Sequence, residues 1–420
     1  MKKGRCVVLV LLLGPGPNGT TVVPLGPGPS WAAQKPPTPK AHPPAAAEEE
    51  APPSREFLDV TKAADTARSA NQLDEAIALY FKAVQMRPSW TEGWWHLGTL
   101  SYELDRPGPA RDAFRRVAQR FPENAAAWGF IGLCEFQLEE HDAALTNLLR
   151  ARTLGIAAFK ELAPVVRYHA AILLTRMAQY DQALQLLNEF AIEGNDNPRV
   201  IEAFGLAVLR MPMLPSEVPG TRRDLVMMGG RAQYFSAARM LPAARQSFEQ
   251  LAGRYPETPS VHYARGVFLL GEEPELGIES MKKELEISPN DVWAMLQLAF
   301  EYIKRGEYET ARTWAEKAVQ GDPTNFVAHK AYGQVLLELG DVEGAIRELE
   351  AGVQIAPDSP ALRFQLAKAY QKAGRGPDAQ RERAEFMRLD RIVRSQRSGS
   401  QAVGGMETER ANTAAPTPDE

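Results

Sequence analysis

With 420 residues, 44% of them apolar, the chain has material for a large core and needs neither disulfides nor a structural metal to hold it. A formal charge of −5 argues against a nucleic-acid partner, whose phosphates are met by clustered Lys and Arg. Only Cys6 and Cys134 are present; Cys6 falls in a segment expected to be removed, so a mature chain would hold one thiol and no internal disulfide.

Lys2, Lys3 and Arg5 precede an apolar run from Cys6 to Leu13, the charge-then-grease order of a secretory signal. A membrane-spanning helix needs roughly 20 apolar residues. This run is shorter and stops at Gly14-Pro15-Gly16-Pro17, so it predicts a cleaved signal over 1–32 and no membrane segment afterwards. Ser30 and Ala32 flank Trp31 at the spacing of a cleavage site, and losing the three cations takes the charge from −5 to −8. Residues 33–55 are Pro- and Ala-rich around Glu48-Glu49-Glu50, too poor in large apolar groups to offset the entropy of ordering, and read as an extended tether.

From there the sequence repeats itself every 34 residues. Ala76, Ala110 and Ala144 stand at that spacing, as do Trp94 and Trp128, Gly98 and Gly132, and Pro88 and Pro122. A later block repeats the pattern in Gly306, Gly340 and Gly374, in Ala311, Ala345 and Ala379, and in Pro289, Pro323 and Pro357. Inside each period apolar residues recur at three and four, with a turn near the middle, which predicts two helices. Over 326–359 a first helix buries Ala331, Tyr332 and Leu336, Gly340-Asp341 ends it, and a second buries Ala345, Leu349 and Val353. Gly333 and Ala345 put little side chain where the two helices cross, which predicts a close approach there. The segment from Met211 to Gly220 holds three prolines and cannot continue a helix. It separates an N-terminal block over 56–211 from a C-terminal block over 225–390, with an irregular loop at 212–224. The helix around Ile201 to Leu209 is left either unpaired or irregularly paired. Residues 391–420, rich in Ser, Gly, Thr and Pro, read as a disordered tail.

Trp94-x-x-Leu97-Gly98 with Ala110, Phe114 and Pro122 closely resembles the tetratricopeptide repeat. So do Trp128-x-x-Ile131-Gly132 with Ala144, the set Leu298-Ala299, Tyr302, Gly306, Ala311, Ala318 and Pro323, and Leu366-Ala367, Tyr370, Gly374 and Ala379. The resemblance covers about Phe57 to Asp390 in roughly nine or ten units. It implies an all-α fold, a right-handed α-solenoid of antiparallel helix pairs in two blocks, which binds proteins and does not catalyse. In this family the first helix of each pair lines a concave groove. Carrying its inward positions over implies a partner-binding set of Trp95, Thr99, Tyr102, Leu133, Phe136, Tyr168, Tyr263, Trp293, Phe300, Phe364, Lys368 and Lys372. The set is rich in the aromatic residues that carry binding energy at interfaces, although each could instead pack between repeats. Chaperone-binding members place Asn at one inward position to clamp a partner's terminal carboxylate. Here Asp65, Thr99, Leu133, Phe300, Gln334 and Lys368 stand there, which argues against a carboxylate clamp.

No motif carries chemistry. Gly14-x-Gly16-x-x-Gly19 follows no strand and is threaded with prolines, so it is no dinucleotide loop. The six histidines, at 42, 96, 141, 169, 262 and 329, form no metal-ligand spacing. Neither cofactor nor metal is expected. The reading is thus an exported scaffold, periplasmic or secreted, holding a protein or peptide in its groove. The alternative is an assembly subunit of a cell-envelope complex that docks through outer helices or block ends.

Overall fold

The computed structural model describes residues 52–412, with side chains through residue 394. The signal segment expected at 1–32 and most of the tether lie outside the described residues. Among those described there are nineteen α-helices and no strand. The chain divides into two compact units, residues 1–174 and 175–420.

The first unit holds three hairpins: α1 (Arg55–Ser69) with α2 (Leu73–Met86), α3 (Thr91–Glu103) with α4 (Pro107–Arg120), and α5 (Ala125–Gln137) with α6 (His141–Thr153). The helix α7 (Leu162–Arg176) runs across the division and is followed by α8 (Tyr180–Ile192). In the second unit come α9 (Pro198–Val208), α10 (Arg223–Ala237) with α11 (Leu241–Arg254), and α12 (Val261–Glu272) with α13 (Pro274–Ile287). The last three hairpins are α14 (Val292–Arg305) with α15 (Tyr308–Gly321), α16 (Phe326–Leu339) with α17 (Val342–Ile355), and α18 (Pro360–Lys372) with α19 (Gly376–Asn412).

The 34-residue register becomes geometry in three ways. At the crossing inside a hairpin there is no room for a side chain. A Cβ on Gly132 would stand 2.7 Å from Leu148 Cγ and 3.0 Å from the Ala144 carbonyl oxygen, and one on Gly333 2.6 Å from Leu349 Cγ. At the turn between the two helices one residue adopts the left-handed conformation: Asn71, Asp105 and Glu139 in the first unit, Gly306, Gly340 and Gly374 in the second. The third device concerns proline. The loop before a first helix begins, just after the preceding C-cap, with a proline whose carbonyl accepts a hydrogen bond from a side chain six residues on. Trp94 Nε1 donates to Pro88 O and Trp128 Nε1 to Pro122 O, each at 2.8 Å, and Arg363 Nη2 donates to Pro357 O at 3.0 Å. His262 Nε2 lies 2.8 Å from Pro256 O and His329 Nε2 3.0 Å from Pro323 O, so that nitrogen carries the proton in both. Chemically unlike side chains thus close the same loop.

Two expectations are corrected. The boundary between units falls at 174/175 and not at 212–224, because α9 is not left over. It packs antiparallel against α10, and a Cβ on Gly205 or on Gly230 would overlap the carbonyl oxygen of Val226 or of Ile201. The irregular loop therefore lies within the second unit, where Leu214 and Val218 are buried and Leu206, Val218 and Val226 form a small core. The second correction concerns the last helix, which does not stop at 390. It continues to Asn412, into the stretch expected to be a tail.

A polar hub also ties the end of α9 to later hairpins. Arg210, left-handed with φ 51°, donates from Nη1 to Asp291 Oδ1 at 3.0 Å, and its guanidinium lies 4.0 Å from the Tyr263 ring centre. Asp291 Oδ1 also caps α14 by accepting from the backbone N–H groups of Trp293 and Ala294. Glu284, fully buried, accepts from the Ser260 and Tyr263 amides at 2.8 and 3.1 Å. Every charge in this hub has a partner, the condition under which buried charge is tolerated.

Candidate functional site

The first helices carry the residues expected to line the groove, and the two units treat them differently. In the first unit most of them are drawn into the seam between hairpins. Trp95 is only 1% exposed, edge-on to Phe114 of its own hairpin at 5.3 Å and to Phe130 of the next at 5.7 Å. Tyr102 is buried edge-on against the same Phe130 at 5.4 Å, and Phe130 stacks on Phe114 at 4.6 Å. Leu133 and Tyr168 are buried as well. The assignment of Trp95, Tyr102, Leu133 and Tyr168 to an open groove is therefore corrected: four neighbouring aromatic rings fill the space between hairpins, and burying them leaves nothing to present. Thr99 is half-buried and spends its hydroxyl on the His96 carbonyl at 3.1 Å. Phe136 is half-buried edge-on to His169 at 4.8 Å.

In the second unit none of the expected set is fully buried. Trp293 on α14 is 39% exposed and Phe364 on α18 is 46% exposed, the latter 5.4 Å from the Phe386 ring of α19. Phe300 on α14 is half-buried beneath the Lys330 ammonium, 5.5 Å from its ring centre. Tyr263 on α12 is half-buried under Arg210, and burial raises its phenol pKa. Lys368 Nζ stands 3.8 Å from Glu338 Oε1, and Lys372 Nζ donates to the Leu337 carbonyl at 3.0 Å. First helices α14 and α16 lie beside one another, as do α16 and α18. Side chains on the three thus share one wall.

Lys330 and Glu338 on that wall were missed from the sequence. The signal was there: Lys330 stands 34 residues before Phe364, and Glu338 stands 34 after Lys304 and 34 before Lys372. Burial holds the Lys330 ammonium below its usual range. Among the described residues no carboxylate pairs with it.

Buried carboxylates elsewhere are engaged in holding helices. Glu135 accepts from Arg115 at 3.0 Å and from Asn147 at 2.7 Å, and Glu382 accepts from Arg363 at 2.8 Å. No group of three or more His, Cys, Asp and Glu among the described residues could hold a metal ion. Burial pushes the Cys134 thiol up to about 12, away from a nucleophilic thiolate. No helix among the described residues is long and apolar enough to cross a membrane.

Comparison with known proteins places these features. The tetratricopeptide-repeat family matches residues 97–158 and 336–382, and the family of ChAPs (Chs5p-Arf1p-binding proteins) matches 225–355. Cellulose synthase operon protein C of Xanthomonas axonopodis pv. citri (strain 306) is 27% identical over 261 residues, covering 60% of this chain and 16% of that protein. The Protein CTR9 homolog of Arabidopsis thaliana is 22% identical over 325 residues, 76% of this chain and 27% of that one. The BBSome complex member BBS4 homolog of Drosophila melanogaster is 22% identical over 323 residues, 72% and 63% respectively. The chain thus spans about a sixth, about a quarter and under two thirds of these relatives' lengths. Among solved structures, MamA 41-end from Desulfovibrio magneticus RS-1 aligns with a TM-score of 0.37 at 17% identity, covering 40% of this chain and 96% of that one. With two stretches matched by one family and its small-residue and proline register built into helical hairpins of both units, the chain is a tetratricopeptide-repeat protein.

Proposed function

We propose that the chain is a non-catalytic interaction scaffold that holds a segment of a partner protein against the first-helix wall of its second unit. One observation carries this reading: Trp293 and Phe364, two large apolar side chains on first helices, stay exposed, whereas Trp95, which holds the place of Phe364 in its own hairpin, is buried. Exposed aromatics on a rigid frame are the residue type that anchors protein interfaces, and repeat arrays present them in register. The matched families, both of repeat or protein-binding description, support protein partners. Export, proposed from Lys2, Lys3, Arg5 and the apolar run after them, would place the scaffold in the periplasm or outside the cell.

The competing reading, an assembly subunit docked through second helices or ends, draws support from relatives named as members of complexes. A photo-crosslinking residue placed at 364 on α18 and, separately, at 355 on the second helix α17 separates the two. The wall reading expects a partner adduct from 364 that Trp293→Ala weakens. An adduct from 355 alone overturns it in favour of the assembly subunit.

A further inference from the structure

We propose that the wall formed by α14, α16 and α18 takes an acidic, extended protein segment that also carries apolar side chains. The inference rests on the groove reading above and names what the groove selects.

The chain as a whole carries −5, yet this wall carries Lys304, Lys330, Lys368 and Lys372. Two of these four face carboxylates and two do not. Lys368 faces Glu338 at 3.8 Å, a long and partly exposed pair. Lys304 shares Glu301, 3.5 Å away, with Arg305, whose Nε sits closer at 2.9 Å. Lys372 spends a proton on a neutral acceptor, the Leu337 carbonyl. Lys330 meets only the face of Phe300 and is partly stripped of water there, which disfavours its charged form. A cation held this way gains more from an incoming carboxylate than a solvated surface lysine does, because water has already been removed.

The apolar half of the recognition comes from Trp293 and Phe364, exposed at opposite ends of the same wall. Spacing then suggests the form of the guest. Neighbouring packed helices lie about 8–10 Å apart, and an extended chain advances roughly 3.3 Å per residue. A strand laid across the three helices would therefore bring a side chain to each rung about every third residue. Acidic residues at that interval, alternating with aromatic or aliphatic ones, match the wall in charge and in contact.

The test uses the full chain and three fluorescent peptides of roughly ten residues, identical except that every third position is Glu, Gln or Lys among Phe, Leu and Ser. Fluorescence anisotropy should show the Glu peptide binding at least about tenfold tighter than the Gln peptide, an advantage that fades as salt is raised. The double variant Lys330→Glu with Lys372→Glu should transfer the preference to the Lys peptide while circular dichroism shows the helices intact. Equal binding of the Glu and Gln peptides, lost on Phe364→Ala, would leave the groove reading standing and overturn the acidic preference. Binding of none of the three would sink both.

Discussion

Trp95 and Phe364 occupy the same place in their hairpins, the fifth residue of a first helix, yet one is 1% and the other 46% exposed. The difference comes from the next hairpin. Trp95 meets Phe130, which is itself stacked on Phe114, so ring closes on ring and the seam swallows the side chain. Phe364 meets one ring, Phe386, tilted at 53°, and keeps an open face. A repeat position therefore does not decide whether a side chain stays exposed or holds the stack; the size of its neighbours does. Turns differ in the same spirit. The last three hairpins meet the left-handed conformation with Gly306, Gly340 and Gly374, whereas the first three meet it with Asn71, Asp105 and Glu139, and Ala178 and Arg239 do so between them. Asn and Asp tolerate that region, but Glu139 has no such excuse and holds its turn at a local cost.

The sharpest way to break the comparison is Trp95→Ala against Phe364→Ala. Removing the buried ring should destabilise the fold by about 3–5 kcal/mol, since it leaves a cavity among three aromatics. Removing the exposed one should cost under about 1 kcal/mol. Denaturant unfolding followed by circular dichroism measures both, and comparable losses would mean the two positions do not differ in role.

Next comes Arg210→Ala, which strips the second unit's hub of its cation and leaves Asp291 buried with only the α14 amides. A loss near 3 kcal/mol is expected, with amide exchange speeding first around Ser260 and the start of α14. Uniform exchange throughout would show that the hub does not hold the irregular segment.

The turns give a paired test. Gly340→Ala forces a Cβ into the left-handed region and should cost about 1–2 kcal/mol. Glu139→Gly relieves the same strain and should return less than about 1 kcal/mol, because glycine also gains freedom in the unfolded chain. Opposite signs in thermal melts support the strain account; matching signs refute it.

The smallest effect is alkaline. Burial raises the Cys134 thiol from an ordinary 9.0 to about 12 and raises the Tyr102 phenol in the same direction. For each, the neutral form is favoured in the fold. The stability they hold is fully present below the unfolded pKa and is lost as pH climbs toward the folded value. Between about pH 8 and pH 10 the first unit should weaken by about 1 kcal/mol for the thiol alone. Cys134 should resist thiol reagents until the chain unfolds. Prompt modification of the native protein would contradict its burial.

Which features could be read in advance follows from their range. Repeats, helix pairs, the small residues at the Gly333–Ala345 crossing and the turns at Gly306, Gly340 and Gly374 depend on neighbours within one 34-residue period, and local spacing alone specifies them. Trp94, Trp128 and Arg363 could likewise have been matched to Pro88, Pro122 and Pro357, each six residues back. What no local pattern contains is contact across periods. Arg210 finds Asp291 eighty-one residues away, α9 finds α10 past a loop of three prolines, and Trp95 disappears because Phe130 is large. Those outcomes depend on which surfaces remain uncovered once the hairpins have stacked. The chain's own periodicity determined that it is built of paired helices; only their packing decided which aromatic side chains were left exposed.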